Sequence, residues 1–269
     1  MCVVFLVGST HTARAAGVVG TGTTDSCTDA ALSAALAGGG LVTFNCGGPA
    51  TIDISTGTGT KTISAAATID GGGLITISGG NSVQVFNVKS GAHFALENLT
   101  IADGLGAGSR IGHVGGGIFN SGTLSVSNST FTGNSDGVAN LGSATIINST
   151  FRGNTGGDIF NGTILTITNS AFIGNRRAVG AGILNFRALN VASSSFINNV
   201  ADYTGGGIVS ESTLTVTNGT FVGNSAVEGG AAVDNGGMLV LTSRPGDPDH
   251  RTGARERSWR CAPLRDQSR

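Results

Sequence analysis

Short segments of alternating apolar and polar residues recur along the chain, separated by turns rich in Gly, Asn and Ser. Residues 115–242 contain six of them, namely Leu124-Ser-Val126, Ala144-Thr-Ile146, Leu165-Thr-Ile167, Leu189-Asn-Val191, Leu214-Thr-Val216 and Leu239-Val-Leu241. A period of two is typical of a β-strand with one buried face. Successive segments are 20 to 25 residues apart, too close for the extra helix of a βαβ unit. We therefore expect the strands to stack coil upon coil.

Two further motifs keep step with these strands. The first is Asn-Ser-Thr-Phe-x-Gly-Asn and its variants, with Phe at 131, 151, 172, 196 and 221 and spacings of 20, 21, 24 and 25 residues. The second is Ile/Val-x-Asn, with Ser in place of Asn at position 210, and its spacings are 20, 21, 24, 25 and 25. The repeat lengthens from 20 to 25 residues along the chain, while both motifs stay in register with each other. The added residues must therefore fall between Phe-x-x-Asn and the next Ile/Val-x-Asn. We predict that this stretch is a loop.

These repeats predict an all-β fold, a right-handed parallel β-helix whose equivalent residues lie about 4.8 Å apart along the solenoid. The Phe side chains should stack inside, and the Asn side chains should form hydrogen-bonded ladders at the turns, where Asn and Gly tolerate a left-handed backbone. The predicted ladders are Phe131, Phe151, Phe172, Phe196 and Phe221; Asn134, Asn154, Asn175, Asn199 and Asn224; and Asn120, Asn140, Asn161, Asn185 and Asn235.

The N-terminal part of the chain shows the same alternation with less regular spacing. We therefore divide the chain into an N-terminal cap with irregular coils at residues 17–114 and the regular repeats at residues 115–242. Residues 28–37 begin with a candidate N-cap Thr, contain helix-forming Ala and Leu, and end at a run of Gly. We predict a short capping helix here, because an uncovered solenoid end exposes strand edges to other molecules.

The first 16 residues have the features of a signal peptide. An apolar run at residues 1–7 is followed by Ala13-Arg14-Ala15, which has the small-x-small form of a cleavage site. We expect the mature protein to be secreted or at the cell surface. In that oxidising environment Cys27 and Cys46 are candidates for a disulfide, which closes a loop of about 20 residues and contributes about 3 kcal/mol. Two buried free thiols are the alternative.

The composition and charge exclude several classes of protein. The 269 residues include 46 Gly, and only 12% are charged. Residues 17–242 carry 7 Lys/Arg against 12 Asp/Glu, giving −5 without a basic patch, so we expect no nucleic-acid partner. The chain contains no run of 18 apolar residues, and we therefore expect no transmembrane helix.

The repeat stops at Thr242. A further copy would place a Phe near position 246, whereas residues 243–269 contain 7 Arg against 4 Asp/Glu and little apolar pattern. We interpret these residues as a disordered Arg-rich tail and hypothesise that a frameshift or truncation of the gene produced it. A clean in-frame read of the locus ending at Arg269 would contradict that hypothesis.

The repeats resemble those of a known family. Phe-x-x-Asn in five copies and Gly-Gly-x-Ile, as in Gly115-Gly-Gly-Ile118 and Gly205-Gly-Gly-Ile208, resemble the repeats of polymorphic outer membrane proteins. The stretch from Cys27 through Val42-Thr-Phe-Asn-Cys46 to Thr68-Ile-Asp-Gly-Gly-Gly73 is similar to bacterial secreted proteins of the pectin-lyase-like superfamily. The resemblance implies a parallel β-helix and extracellular display. It does not select a function, since this superfamily includes lyases, glycoside hydrolases and adhesins.

A pectate-lyase-like site needs carboxylates that bind Ca²⁺ beside a basic Arg. The candidate ligand-binding residues are Asp136, Asp158, Asp202 and Glu228 in the stretch after Phe-x-x-Asn, with Arg152 and Arg176 nearby. Their offsets from the motif Asn are 2, 4, 3 and 4, so the acids are out of register. This favours solvated loop charges over a Ca²⁺ or catalytic site, and we can name no catalytic residue.

Two other enzyme and binding classes receive less support. The motifs of polygalacturonases, which resemble this fold, are absent, and no Asp-Asp pair exists for inverting hydrolysis. Outward Thr pairs at 166/168 and 215/217 resemble ice-binding arrays, but Asn190 and Ala192 interrupt them, so ice binding is a remote alternative.

We therefore expect a non-catalytic adhesion protein that needs no cofactor and binds an extracellular polysaccharide or a surface protein of a host or neighbour. The alternative is a polysaccharide lyase or glycoside hydrolase, for which Ca²⁺ would be the cofactor.

Overall fold

The chain folds as a parallel β-solenoid of about nine turns. The structure is a computed structural model that describes residues 17–106 and 115–242, together with the backbone of 259–261. The predicted all-β fold and the stacked coils are confirmed. The predicted signal peptide lies outside the described residues, as does most of the predicted tail. Within that tail Trp259–Cys261 forms a strand parallel to Val233–Asn235.

Three faces, each with one short strand per turn, surround the core of the regular repeats. The Asn face comprises Lys61–Ile63, Phe86–Val88, Ile118–Asn120, Val138–Asn140, Ile159–Asn161, Ile183–Asn185, Ile208–Ser210, Val233–Asn235 and Trp259–Cys261. The hydroxyl face comprises Thr123–Ser127, Ser143–Ile147, Ile164–Thr168, Ala188–Ala192, Leu214–Thr217 and Leu239–Thr242. The Phe face comprises Thr130–Thr132, Thr150–Arg152, Ala171–Ile173, Ser195–Ile197 and Thr220–Val222.

The hydroxyl and Phe faces are continuous at the N-terminal end of the solenoid, because the long strands Ala67–Ser78 and His93–Ala102 run through both. Residues 93–97 pair with the first strand of the hydroxyl face, whereas residues 100–102 pair with the first strand of the Phe face. Asn98 lies between them with a left-handed φ of 54° and bends the strand. The strands Gly17–Val19, Gly40–Phe44 and Ala50–Asp53 complete this end.

The predicted capping helix, α1, spans Asp29–Ala37 and follows a 3-10 turn at Thr24–Ser26. The Thr28 hydroxyl accepts a hydrogen bond from the Ala31 N–H at 3.2 Å, and Leu32 is buried in the core. Asp29 forms an ion pair with buried Lys61. Burial acts to raise the pKa of Asp29, but the hydrogen bonds from Lys61 and Thr58 outweigh it and leave the pKa below its ordinary value. The ion pair ties the helix to the first strand of the Asn face.

A disulfide joins Cys27 and Cys46, which flank this helix. Their Cα atoms are 5.6 Å apart, and both side chains are buried in the core. The bond closes the loop that carries the capping helix, so it restrains the unfolded chain at the end of the solenoid.

The five Phe residues of the ladder form one continuous stack inside the solenoid. Consecutive ring centroids are 4.6, 5.1, 4.6 and 4.8 Å apart, with interplanar angles between 4° and 8°. Phe131, Phe151, Phe172 and Phe196 are fully buried, and Phe221 at the end of the stack is partly buried. The stack supplies an aromatic spine along one wall of the core.

Both predicted Asn ladders are present, but Asn235 does not join the one on the Asn face: its amide donates to the Gly237 carbonyl at 2.6 Å, and its Oδ1 has no partner among the described residues. On the Asn face, the side-chain amide of Asn120 donates to Asn140 at 2.8 Å, and the chain of amides continues through Asn161 and Asn185 to Ser210. After the Phe face, the backbone N–H and the side-chain amide of Asn175 both donate to Asn199 Oδ1, at 3.0 and 2.9 Å. These bonds satisfy polar groups that would otherwise be costly inside the solenoid.

A third ladder was not predicted. Ser129, Ser149, Ser170 and Ser194 are buried, and the N–H of each of the first three donates to the Oγ of the next at 3.1 to 3.2 Å. Each Oγ in turn donates to the carbonyl two residues earlier. The sequence contains the signal for this ladder, because a Ser stands two residues before Phe131, Phe151, Phe172 and Phe196.

The left-handed backbone is found at a different Asn row from the one we expected. Asn128, Asn148, Asn169, Ser193 and Asn218 have φ between 48° and 52°. They form the corner between the hydroxyl and Phe faces, where the chain must turn sharply between two strands. Asn is favoured there because its short polar side chain tolerates this conformation.

The stretch after the Phe face was predicted to be a loop, and this is wrong for its last three copies. Arg176–Val179, Val200–Thr204 and Ser225–Ala226 form a three-stranded parallel sheet, which we call the insertion sheet. The longer repeats therefore place their extra residues in strands that stack with the same spacing as the rest of the solenoid.

We predict that Phe172→Ala lowers the free energy of unfolding by about 3 to 5 kcal/mol, because it opens a cavity between two stacked rings. Phe221→Ala is the matched control at the partly buried end of the stack and should cost less. Urea unfolding of both variants measures the difference. If both variants lost the same free energy of unfolding, stacking on both sides of a ring would not be stabilising.

Candidate functional site

The candidate residues do not converge on one site. Asp136 and Asp158 lie on neighbouring turns, between the Phe and Asn faces, and Arg177 joins them from the next turn. Arg176 and Asp202 lie on the insertion sheet, where Arg176 Nη2 is 2.6 Å from Asp202 Oδ1. Arg152 is an exposed end residue of the Phe face, and Glu228 is exposed near the C-terminal end.

Asp158 stands where the other regular repeats have a small residue. The residues that precede the Asn-face strands are Gly117, Gly137, Asp158, Gly182, Gly207 and Ala232. A Cβ placed on Gly182 would lie 2.9 Å from Cδ1 of Phe196, so a side chain at this position points towards the Phe ladder. Asp158 is 0% exposed, and only Lys61 is another buried charged residue within the described ranges.

The Asp158 carboxyl is bound to an Asn ladder. Its Oδ1 accepts a hydrogen bond from the Asn154 amide at 2.7 Å, whereas Oδ2 has no partner in the described part of the chain. Burial raises the pKa of Asp158 well above its ordinary value; the Asn154 bond opposes the shift, and the Asp136 charge adds to it. The environment therefore favours the protonated, uncharged acid.

Asp136 and Arg177 form a second, partly covered pair. Arg177 Nη1 lies 3.8 Å from Asp136 Oδ1, and the two side chains are 12% and 16% exposed. Burial raises the pKa of Asp136 to about 6 against the opposing effect of Arg177. Burial also lowers the pKa of Arg177, while the Asp136 charge raises it. Two acids and a guanidinium are thus held together with perturbed pKa values, a combination that is common at functional sites.

This acid cluster offers little access to a polymeric substrate, because the Asp136 side chain is only 16% exposed. A general acid or base must come within hydrogen-bond reach of the reacting group, and Asp158 is fully covered. The residues also do not fit Ca²⁺, which takes about six to eight oxygen ligands. No group of three or more His, Cys, Asp or Glu that could hold a metal occurs in residues 17–106 or 115–242, and Arg177 opposes a cation beside Asp136.

The exposed charges offer little chemistry. The Arg176 and Asp202 side chains are 65% and 47% exposed, so their ion pair contributes only about 0 to 1 kcal/mol. Arg152 lies on another face, and Glu228 touches the insertion sheet through its N–H, which donates to the Tyr203 carbonyl at 2.8 Å. Geometry therefore does not assemble these residues into a binding pocket.

A cleft of about 260 Å³ lies beside the capping helix, and Ser33, Thr60 and Lys61 are among its lining residues. The Lys61 ammonium group donates to the Thr58 hydroxyl and to the Gly59 carbonyl and pairs with Asp29. Its three protons therefore have acceptors inside the protein. We assign Lys61 to holding the helix in place.

In the described regular repeats, the hydroxyl face has strands of four or five residues, whereas the strands of the Asn and Phe faces have three. Strand pairing aligns its outward side chains in three rows: Thr123, Ser143, Ile164 and Ala188; Ser125, Thr145, Thr166, Asn190, Thr215 and Val240; and Ser127, Ile147, Thr168, Ala192, Thr217 and Thr242. All of these side chains are uncharged. The hydroxyl groups in these rows are interrupted by Asn190 and Ala192, as the sequence predicts, and by Ile147 and Ile164.

The fold defines the chain as a parallel β-solenoid. Comparison with models of known protein families gives no match, and neither curated protein sequences nor solved structures give a significant one. None of the described helices is long and apolar enough to cross a membrane. Since a solenoid supports many functions, the function of this chain must be inferred from its side chains.

The acid cluster generates a prediction about pH. Asp136 and Asp158 have raised pKa values, so the folded protein retains protons that the unfolded chain releases near pH 3.8, and stability falls as pH rises from about 4 through 6. Asp136 alone corresponds to on the order of 3 kcal/mol, from the shift of its pKa to about 6. Asp158→Asn mimics the protonated acid, so it should reduce this loss. Urea unfolding between pH 4 and 8 measures it.

Asp202→Asn is the matched control for this experiment, because Asp202 is an exposed acid outside the cluster. It should retain the pH dependence of the unmodified protein. A rise in stability between pH 4 and 7, or identical slopes for Asp158→Asn and the unmodified chain, would contradict the prediction.

Proposed function

We propose that this chain is a secreted or cell-surface protein that binds an extracellular polysaccharide, or a protein of a neighbouring surface, without catalysing a reaction. The hydroxyl face is the main observation that supports this proposal. Its three uncharged rows repeat at the coil spacing of about 4.8 Å and present many hydroxyl groups, each able to donate and accept a hydrogen bond. A surface that repeats from coil to coil suits an extended polymer better than a small molecule.

The absence of catalysis is supported by the state of the charged groups. Asp158 is covered, Asp136 is paired with Arg177, and the exposed Arg176 is paired with Asp202. The location outside the cell is supported by the predicted signal peptide and by the Cys27–Cys46 disulfide, since such bonds persist in oxidising compartments. The resemblance of the repeats to polymorphic outer membrane proteins and to the pectin-lyase-like superfamily agrees with extracellular display.

We predict that Thr145→Lys weakens polysaccharide binding about tenfold, because it places an extended charge in the middle row of the hydroxyl face. Thr155→Lys is the control, since it changes the same residue type to the same charge at an exposed position outside that face. A glycan array followed by a polysaccharide co-sedimentation assay measures both. Equal binding by the two variants would remove the hydroxyl face from the proposal.

A polysaccharide lyase or hydrolase is the second candidate, and the pKa of Asp136 near 6 beside Arg177 favours it. We expect no depolymerisation of pectin and other uronate polymers, with or without Ca²⁺, because Asp158 is fully buried and Asp136 is largely covered. Product release at 235 nm and reducing-end assays measure cleavage. Robust cleavage that Asp136→Asn or Asp202→Ala abolishes would overturn the non-catalytic proposal.

A further inference from the structure

A second cleft, with a volume of about 240 Å³, lies at the N-terminal end of the solenoid. It opens where the long strand Ala67–Ser78 changes its partner from Gly40–Phe44 to Ala50–Asp53. The register of the long strand shifts there, between Asp70 and Ile75. We call this space the bulge cleft, and it is lined by residues 43–48, 70–72, 74 and 75. The cleft therefore follows from the way in which the strands pair at this end.

The bulge cleft continues an outward row of the hydroxyl face. Strand pairing places Ser127 of that face beside Glu97, and Glu97 beside Asp70. The row that contains Ser127 and Ile147 in the regular repeats thus extends to Asp70, which lines the cleft. A polymer that follows this row along the solenoid reaches the cleft at the end of the row.

The carboxyl group of Asp70 is held in place through one of its two oxygens. Its Oδ1 accepts hydrogen bonds from the Gly72 N–H at 3.0 Å and from the Asn98 amide at 2.9 Å. Asn98 Oδ1 in turn accepts from the Asn128 amide at 3.2 Å. Oδ2 of Asp70 makes no hydrogen bond within residues 17–106 and 115–242. It is the acceptor that the cleft offers to a ligand.

Apolar side chains stand beside this acceptor. Leu74 is 53% exposed, and Phe44 is partly buried against the core. A Cβ on Gly48 would meet nothing within 4 Å, so the space beside that lining residue is open. Drug-sized ligands occupy pockets of about 300 to 1,000 Å³, so a cleft slightly below this range suits a single ring.

We propose that the bulge cleft binds one sugar ring that carries no acidic group, and that the rest of the polysaccharide continues along the hydroxyl face. This inference rests on the proposed function and specifies where the polymer is held and by which groups. The ring donates a hydroxyl or amino hydrogen to Asp70 Oδ2, and its apolar side packs on Leu74 and Phe44.

The charges around the cleft exclude an acidic sugar. Asp70 lines the cleft and Glu97 lies beside it on the next strand. None of the described residues that line the cleft is Lys, Arg or His. A uronate ring would therefore bring a third negative charge to two others without a base to compensate it. The two suitable sources of the ring, a neutral sugar and an amino sugar, share a donor for Asp70.

Asp70→Asn tests the acceptor, because the amide can keep the two bonds of Oδ1 while an NH₂ group replaces Oδ2. It should weaken binding to a soluble neutral glucan, mannan or xylan, or to a glucosamine polymer, about tenfold. Asp53→Asn is the matched control: Asp53 is exposed outside the cleft, and its Oδ1 also accepts from the N–H two residues later, that of Ser55. Titration calorimetry measures the affinities, and circular dichroism confirms folding.

Leu74→Ala tests the apolar wall. It shortens an exposed side chain, so the fold should be retained while affinity for the same polymers falls about fivefold. Leu141→Ala is the control, since Leu141 is exposed to a similar extent, 45%, and does not line the cleft.

The outcomes separate the cleft from the wider proposal. Loss of affinity in both cleft variants but in neither control supports the cleft, and the polymer bound more tightly shows whether a hydroxyl or an amino group donates to Asp70. If Thr145→Lys weakens binding but Asp70→Asn and Leu74→Ala bind normally, the cleft is wrong and the hydroxyl face stands. Preferential binding of polygalacturonate would overturn the inferred ligand class. Binding to none of these polysaccharides would overturn both proposals.

Discussion

The axial spacing of parallel strands, about 4.8 Å, is the constraint on which this structure depends. At that spacing each side chain contacts the equivalent side chain on the next coil. The interior is therefore stable only where equivalent side chains pack against or hydrogen-bond to each other. Phe rings stack with centroids about 5 Å apart, and Asn amides bond the next Asn at 2.7 to 2.8 Å on the Asn face. A buried amide in a single coil would instead lose its hydrogen bonds to water.

Much of the interior was predictable because residues that stack must also repeat. The Phe and Asn ladders followed from two motifs in constant register, and the capping helix followed from Thr28 and a run of Ala and Leu. The insertion sheet was not predictable, because Arg176–Val179 and Val200–Thr204 lack clear alternation and pair through the stacking of whole coils. Their strands are a product of the fold rather than of local pattern.

Asp158 shows why the candidate site was harder to predict. Measured from the preceding motif Asn154, its offset differs from those of Asp136 and Asp202, and it looks like a solvated loop charge. Measured from the following Ile159, it occupies the position of the buried Gly row and is held inside by Asn154. The position of Asp158 relative to the following Asn-face strand therefore indicates its burial, whereas its position relative to Asn154 does not. Burial and pKa depend on packing that no single coil contains.

The fold separates inward positions, which are fixed by coil-to-coil contacts, from outward positions, which those contacts do not restrict. Inward positions are restricted by the ladders, whereas outward positions on the hydroxyl face and in the turn after each Asn-face strand vary from coil to coil, as Leu141, Gly162 and Phe186 do. Variation at these positions leaves the backbone pairing intact. A solenoid of this kind can therefore change its outer surface one coil at a time.

The two buried Asn ladders also have a direction. Asn120, Asn140 and Asn161 each donate a side-chain amide to the following coil, and so do Asn134, Asn175 and Asn199. Their amide dipoles align head to tail along the solenoid, as peptide dipoles do along an α-helix. The two sides of a coil that face its neighbours are therefore chemically different. Towards the following coil, the Asn side chains present amide hydrogens, and towards the preceding coil they present side-chain carbonyl oxygens. A coil can be duplicated or deleted as a unit, but an inverted coil would place donor against donor.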